Sequence, residues 1–193
     1  MLKKAHWLLW LGFILLLAAC QPYQLKGTEY PEGIQAEEFT LTTTEGRPFR
    51  LSDQRGKIVL MFFGFTSCPD VCPTTLAEAK RIMEGLGDET ENVRFVFITV
   101  DPERDTPERL GQYVSNFHPE IIGLTGTPEE LQTMFDAYGI YAAKVPLEDS
   151  AAEYTMDHTA RVFLVDQDGR LRLSYAFGTP DEDILQDVQY LLR

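Results

Sequence analysis

Apolar positions along the chain fall into two alternating patterns: continuous runs, and sets spaced three and four apart. Ile58 to Phe63 is an unbroken apolar run after Gly56-Lys57, and Val93 to Val100 reads as a second strand of the same kind. Such runs belong to strands buried on both faces of a largely parallel sheet. Between them Leu76, Ala79, Ile82, Met83 and Leu86 recur at helical spacing from Pro73 and stop at Gly87. Thr106-Pro107 opens a second helix, with Thr as cap, Pro as first residue and Leu110, Tyr113, Val114 and Phe117 facing inward. Ile121 to Leu124 predicts a short strand. Thr127-Pro128-Glu129-Glu130 then starts a third helix with a capping box, with Leu131, Met134, Phe135 and Tyr138 inward and Gly139 at its end.

The segment from Ile140 to Thr155 has no period, carries Pro146 and several acids, and is expected to be a long loop. It leads through Asp157-His158-Thr159 into a strand at Val162 to Val165, which turns at Asp168-Gly169 into a return strand over Leu171 to Phe177. A last helix from Thr179-Pro180 turns Ile184, Leu185, Val188, Leu191 and Leu192 inward. Ahead of all this, Phe39 and Leu41, then Phe49 and Leu51, alternate around Glu45-Gly46 as an edge hairpin. A hairpin, then βαβαβα, then a second hairpin and a helix is an α/β order of thioredoxin-like type: a central, mostly parallel sheet flanked by helices. It places the turn after Phe63 at the carboxyl end of a central strand, where sites of α/β sheets lie.

The ends of the chain follow other rules. Lys3 and Lys4 precede an apolar run from Trp7 to Ala19, a charged region followed by a hydrophobic one, as in an export signal. The run is shorter than the roughly 18–20 residues that span a bilayer, which disfavours an uncleaved anchor. Leu17-Ala18-Ala19-Cys20 resembles the lipobox of bacterial lipoproteins, which implies cleavage before Cys20 and its lipidation. The expected organisation is a signal peptide over 1–19, a lipidated Cys20 with a flexible tether over 20–36, and one domain over 37–193; the 44% hydrophobic content of the whole chain suits a single core. The formal charge is −13, and −15 once residues 1–19 and their two lysines are gone. Such a chain repels nucleic acid, and an extracytoplasmic, membrane-anchored location follows from the leader.

Chemistry concentrates at Cys68-Pro69-Asp70-Val71-Cys72-Pro73. Residues i and i+4 in or just before the first turn of a helix put both sulfurs on one side. The free N–H groups and partial positive charge there favour thiolate over thiol. The alternatives are a structural disulfide or two buried free thiols. Two thiolates hold soft Cu(I), and an added imidazole makes a set that also holds Cu(II). Zinc accepts such donors, but structural zinc takes a fourth protein ligand, and no fourth Cys or His is near. His158 is the candidate nitrogen, against a plain surface histidine beside an acid. His118 ends a helix and reads as structural. Asp101 is either a turn acid before Pro102 or a group near the metal, accepting from a ligand or binding weakly itself.

Gly64-Phe65-Thr66-Ser67-Cys68-Pro69-Asp70-Val71-Cys72-Pro73, Val100-Asp101-Pro102-Glu103-Arg104-Asp105-Thr106-Pro107 and Asp157-His158-Thr159, in that order, resemble the Sco/SenC family of copper proteins. The resemblance runs from about Phe39 to the C-terminus. It implies copper ligation by Cys68, Cys72 and His158. It also implies a chaperone for the binuclear copper centre of cytochrome c oxidase, with that oxidase's copper-site subunit as partner and a thiol reductant or copper donor beside it. The alternative is a thiol–disulfide oxidoreductase working through Cys68 and Cys72. Against it stand a spacing one residue longer than C-x-x-C, and Ala160-Arg161 where such enzymes carry a cis-proline. A peroxidase would need Thr-x-x-Cys, and Phe65 and Pro69 occupy those places.

Overall fold

The computed structural model describes residues 22–148, 150 and 152–193. Its sheet is built outward from β4 (Ile58–Gly64) and β5 (Val93–Thr99), which pair in parallel from Ile58–Val93 to Gly64–Thr99. Every residue of β4 is buried. β6 (Ile121–Thr125) continues the parallel part beside β5. The hairpin of β2 (Thr40–Thr43) and β3 (Pro48–Arg50) closes that edge, as its alternation predicts. On the other side β9 (Arg161–Val165) runs antiparallel to β4, β10 (Leu171–Ala176) to β9, and the short β1 (Thr28–Glu29) to β10. The order is β1-β10-β9-β4-β5-β6-β2-β3.

Four helices follow the expected boundaries: α1 (Val71–Leu86), α2 (Pro107–Ser115), α3 (Pro128–Tyr138) and α4 (Asp181–Leu191). Thr106 caps α2 by accepting the Arg109 N–H, and Thr127 with Glu130 forms the capping box of α3. Successive strand residues face opposite sides, so the two phenylalanines of β4 divide the core. Phe63 meets Phe135 of α3 and Phe163, while Phe62 meets Phe97 on the side that carries α1. Among the described residues no helix is long and apolar enough to cross a membrane.

Two expectations change. The stretch read as a flexible tether over 20–36 is fastened to the domain from Tyr23 onward. The carboxylate of Asp187, fully buried on α4, accepts from the Tyr23 hydroxyl (2.7 Å), the N–H groups of Lys26 and Gly27, and the Tyr175 hydroxyl (3.0 Å). Tyr23 also stacks on Tyr190, and β1 extends the sheet. One internal acid organises a segment whose own sequence has no period. The long loop expected over 140–155 is instead a third hairpin, β7 (Ala142–Pro146) with β8 (Tyr154–His158). It forms a separate two-stranded sheet, and no residue of either strand is fully buried, which is why hydrophobic periodicity missed it.

Candidate metal centre

The cysteine turn is made by the end of β4. The chain leaves the sheet at Gly64, buries Phe65, and reaches α1 through residues 66–70. The Cys68 N–H donates to the Phe65 carbonyl (3.2 Å). Asp105, itself buried, accepts from the backbone N–H of Thr66 (3.0 Å) and from the hydroxyls of Thr66 and Thr99, pinning the turn to the end of β5. Cys72 is wholly buried in the first turn of α1 and Cys68 half-buried just before it, both as free thiols. The Cys72 N–H donates to the Cys68 sulfur (3.3 Å). Gly64 is required by this arrangement, because a Cβ there would lie 2.8 Å from Cys72 Sγ and 2.8 Å from the Phe97 ring.

His158 arrives from the other side, as the last residue of β8. Its ring stands edge-on to Phe65 and Phe62, at centroid separations of 5.8 and 6.3 Å. Nδ1 lies 3.2 Å from the Thr159 carbonyl, a contact that orients the ring with Nε2 toward the sulfurs. That Nε2 is 3.8 Å from Cys72 Sγ, and all three donor atoms lie within 4.8 Å of one another. An ion bonded at about 2.0–2.3 Å to three ligands in one plane holds them about 3.5–4 Å apart. The group therefore fits a small, soft ion after little movement, and its two sulfurs and one imidazole are the donor set of copper.

The two sulfurs are electrostatically unequal. Cys68 is pulled down to about 4, first by the hydrogen bond it receives from the Cys72 thiol, then, against its partial burial, by bonds from His158 and the N–H groups of Asp70 and Cys72. Cys72 is pushed up, because its S–H is the donor in that shared bond and because it is buried. A helix start alone would favour thiolate at both positions. The bond shared with Cys68, and then burial, reverse its effect at Cys72.

Asp101 is not part of the cluster. It is 1% exposed, and its oxygens are taken by the Tyr154 hydroxyl (2.8 Å) and by Nε of Arg104, so it touches the hairpin that carries His158 and not the metal position. His118 is likewise outside, accepting the Glu120 N–H at 3.3 Å beyond the end of α2. Cys20 lies outside the described residues. Asp105, Arg104 and Tyr154 were given no role by the sequence reading. Asp105 left one trace there: with Thr106 capping α2, an acid beside it has no capping task.

The comparisons agree with this geometry. The SCO1/SenC family model matches residues 28–193. An SCO2-like protein of Rickettsia prowazekii is 35% identical over 185 residues, covering 89% of this chain and 90% of the relative. The structure of Bradyrhizobium japonicum ScoI with copper bound superposes with a TM-score of 0.75 at 40% identity, over 83% of this chain and 100% of that one. BsSco, described as a member of the Sco family of cytochrome c oxidase assembly proteins and as holding a disulfide switch, has a TM-score of 0.66 at 27% identity over 86% and 97%. With the family model spanning everything from β1 to the last residue, the chain belongs to the SCO1/SenC family.

Proposed function

We propose that this protein is a copper chaperone that binds copper through Cys68, Cys72 and His158 and supplies it during assembly of the binuclear copper centre of cytochrome c oxidase. The observation that carries the reading is the convergence of two sulfurs and one hydrogen-bond-oriented imidazole within 4.8 Å. Copper in the related ScoI supports it. The copper-site subunit of the oxidase is the recipient, with a copper donor or thiol reductant upstream. Export and lipidation at Cys20 complete the reading, and put the centre outside the cytoplasm, where a reductant must keep the pair as dithiol.

A second reading has its own observation. A half-buried thiolate at Cys68 beside a buried thiol at Cys72 is the asymmetry of a pair that attacks a disulfide with one sulfur and resolves with the other. Titration of the reduced full chain with Cu(I) and Cu(II), beside an insulin-reduction assay, separates the two. Tight one-to-one copper with negligible reductase turnover is expected, and the reverse result assigns the protein to thiol chemistry.

A further inference from the structure

The nitrogen ligand hangs on an element held to the domain only by partial apolar packing, through Ala142 and Met156, and by polar contacts. The β7–β8 hairpin makes no ladder with the eight-stranded sheet and has no fully buried residue. A cavity of about 220 Å³, lined by Asp101, Leu131, Phe135, Ala143 and Met156 among others, lies beneath it. At its base, next to His158, its two legs are tied to each other by a pair of hydrogen bonds between Tyr141 and Thr159. Its far end is held by a polar group rooted in the domain. Arg104 Nη1 donates to the carbonyls of Ala152 (3.2 Å) and Tyr154 (2.7 Å), on either side of Glu153, whose φ of +58° is uncommon for a residue with a side chain. The guanidinium carbon lies 3.7 Å from the centre of the Tyr154 ring. Both side chains end on the buried carboxylate of Asp101. Lys144 adds a bond to Glu103 from the other strand.

We propose that Arg104, acting through Asp101 and Tyr154, is the positioning residue of the metal centre: it clamps the hairpin to the body of the domain and so sets whether His158 meets the cysteine pair. The chemistry of the clamp fits this task. A planar guanidinium serves a carboxylate and two carbonyls at once while stacking on a ring, which a lysine cannot do. The cysteines are fixed independently, by Asp105 and β4, so loosening the clamp removes the nitrogen and spares the sulfurs. Two sulfurs suffice for Cu(I), whereas stable Cu(II) needs the imidazole, and the clamp therefore governs which oxidation state the centre retains.

The proposal rests on Cys68, Cys72 and His158 being the copper ligands. Arg104→Gln and, separately, Tyr154→Phe are made in the full chain, each with and without His158→Ala. Cu(II) affinity and thiolate charge-transfer absorbance are measured beside Cu(I) affinity, and amide hydrogen exchange is followed in the metal-free protein. Arg104→Gln should weaken Cu(II) about ten- to hundredfold, the usual cost of losing a group that orients a ligand. Tyr154→Phe should weaken it less, and Cu(I) affinity should stay within about threefold. In the His158→Ala background neither substitution should change Cu(II) binding further. Exchange at β8 amides should quicken in both variants and stay unchanged in β4. Equal losses of Cu(II) with and without His158, or unchanged Cu(II) binding in both variants, overturns the proposal. If Arg104→Gln fails to fold, Tyr154→Phe decides by the same readings. Should His158→Ala alone leave Cu(II) untouched, the ligand assignment itself has failed, which is distinguishable from failure of the clamp.

Discussion

The turn between β4 and α1 and the β7–β8 hairpin meet at one point but are held there by different physics. The first is welded into the core: β4 is buried along its whole length, Cys72 has no exposed surface, and a carboxylate inside the protein ties down Thr66. The second lies outside the main sheet, with no fully buried residue, Ala142 and Met156 half-buried against the core, and a handful of polar contacts. Hydrophobic burial fixes the sulfurs whether or not a metal is present. The imidazole is supplied conditionally, by an element of low local stability. Under the proposed copper-chaperone role, such a centre would keep its grip through two thiolates while its third ligand comes and goes.

If that contrast is right, hydrogen exchange should show it most strongly. Amides of β4 and β5 should exchange at least about a thousandfold more slowly than those of β7 and β8, because the former open only with global unfolding and the latter by local release. Matching rates would mean the hairpin is as firmly built as the sheet. The next effect is chemical. With Cys68 pulled down to about 4 and Cys72 pushed up, iodoacetamide should label Cys68 first in the reduced apoprotein. Its rate should stay nearly flat from about pH 6 to 8, where an ordinary thiol with a pKa of about 8.5 speeds up close to tenfold per unit. The sign follows from the direction: a lowered pKa leaves the thiolate already formed over that range, and protonation slows it only near the folded value. Mass mapping that finds Cys72 labelled first would contradict the asymmetry. The smallest effect sharpens the sulfur side. Gly64→Ala puts a methyl group against Cys72 Sγ and the Phe97 ring, so the domain should lose about 1–3 kcal/mol by thermal or urea unfolding. An unchanged midpoint would show that the close approach of β4 and α1 is slack.

Much of this was legible in the residues. Continuous apolar runs gave β4 and β5, threefold and fourfold spacing gave the helices, and Thr106-Pro107 and Thr127-Pro128 gave two helix starts, since each signal comes from burial or capping close by in the chain. Cys68, Cys72 and His158 were singled out by donor chemistry and by motif order, and the fold brings them together. The hairpin was missed because its strands are half-exposed and so carry no period-2 apolar code. The docking of residues 23–36 was missed for a related reason: residues 23–27 hang on Asp187, about 160 residues away, and residues 28–36 on backbone bonds to β10 and its turn, none of which leaves a trace in the segment itself. Asp101 was left as either a turn acid or a group near the metal, since sequence order could not show that Arg104 and Tyr154 occupy its oxygens.

The central claim is tested most directly by X-ray absorption at the copper edge on the loaded full chain, wild type beside His158→Ala. Two sulfurs and one nitrogen are expected around Cu(II) in the wild type, with the nitrogen lost and the two sulfurs kept around Cu(I) in His158→Ala. A wild-type copper surrounded only by nitrogen and oxygen, or a nitrogen that survives the substitution, would contradict the assignment of Cys68, Cys72 and His158.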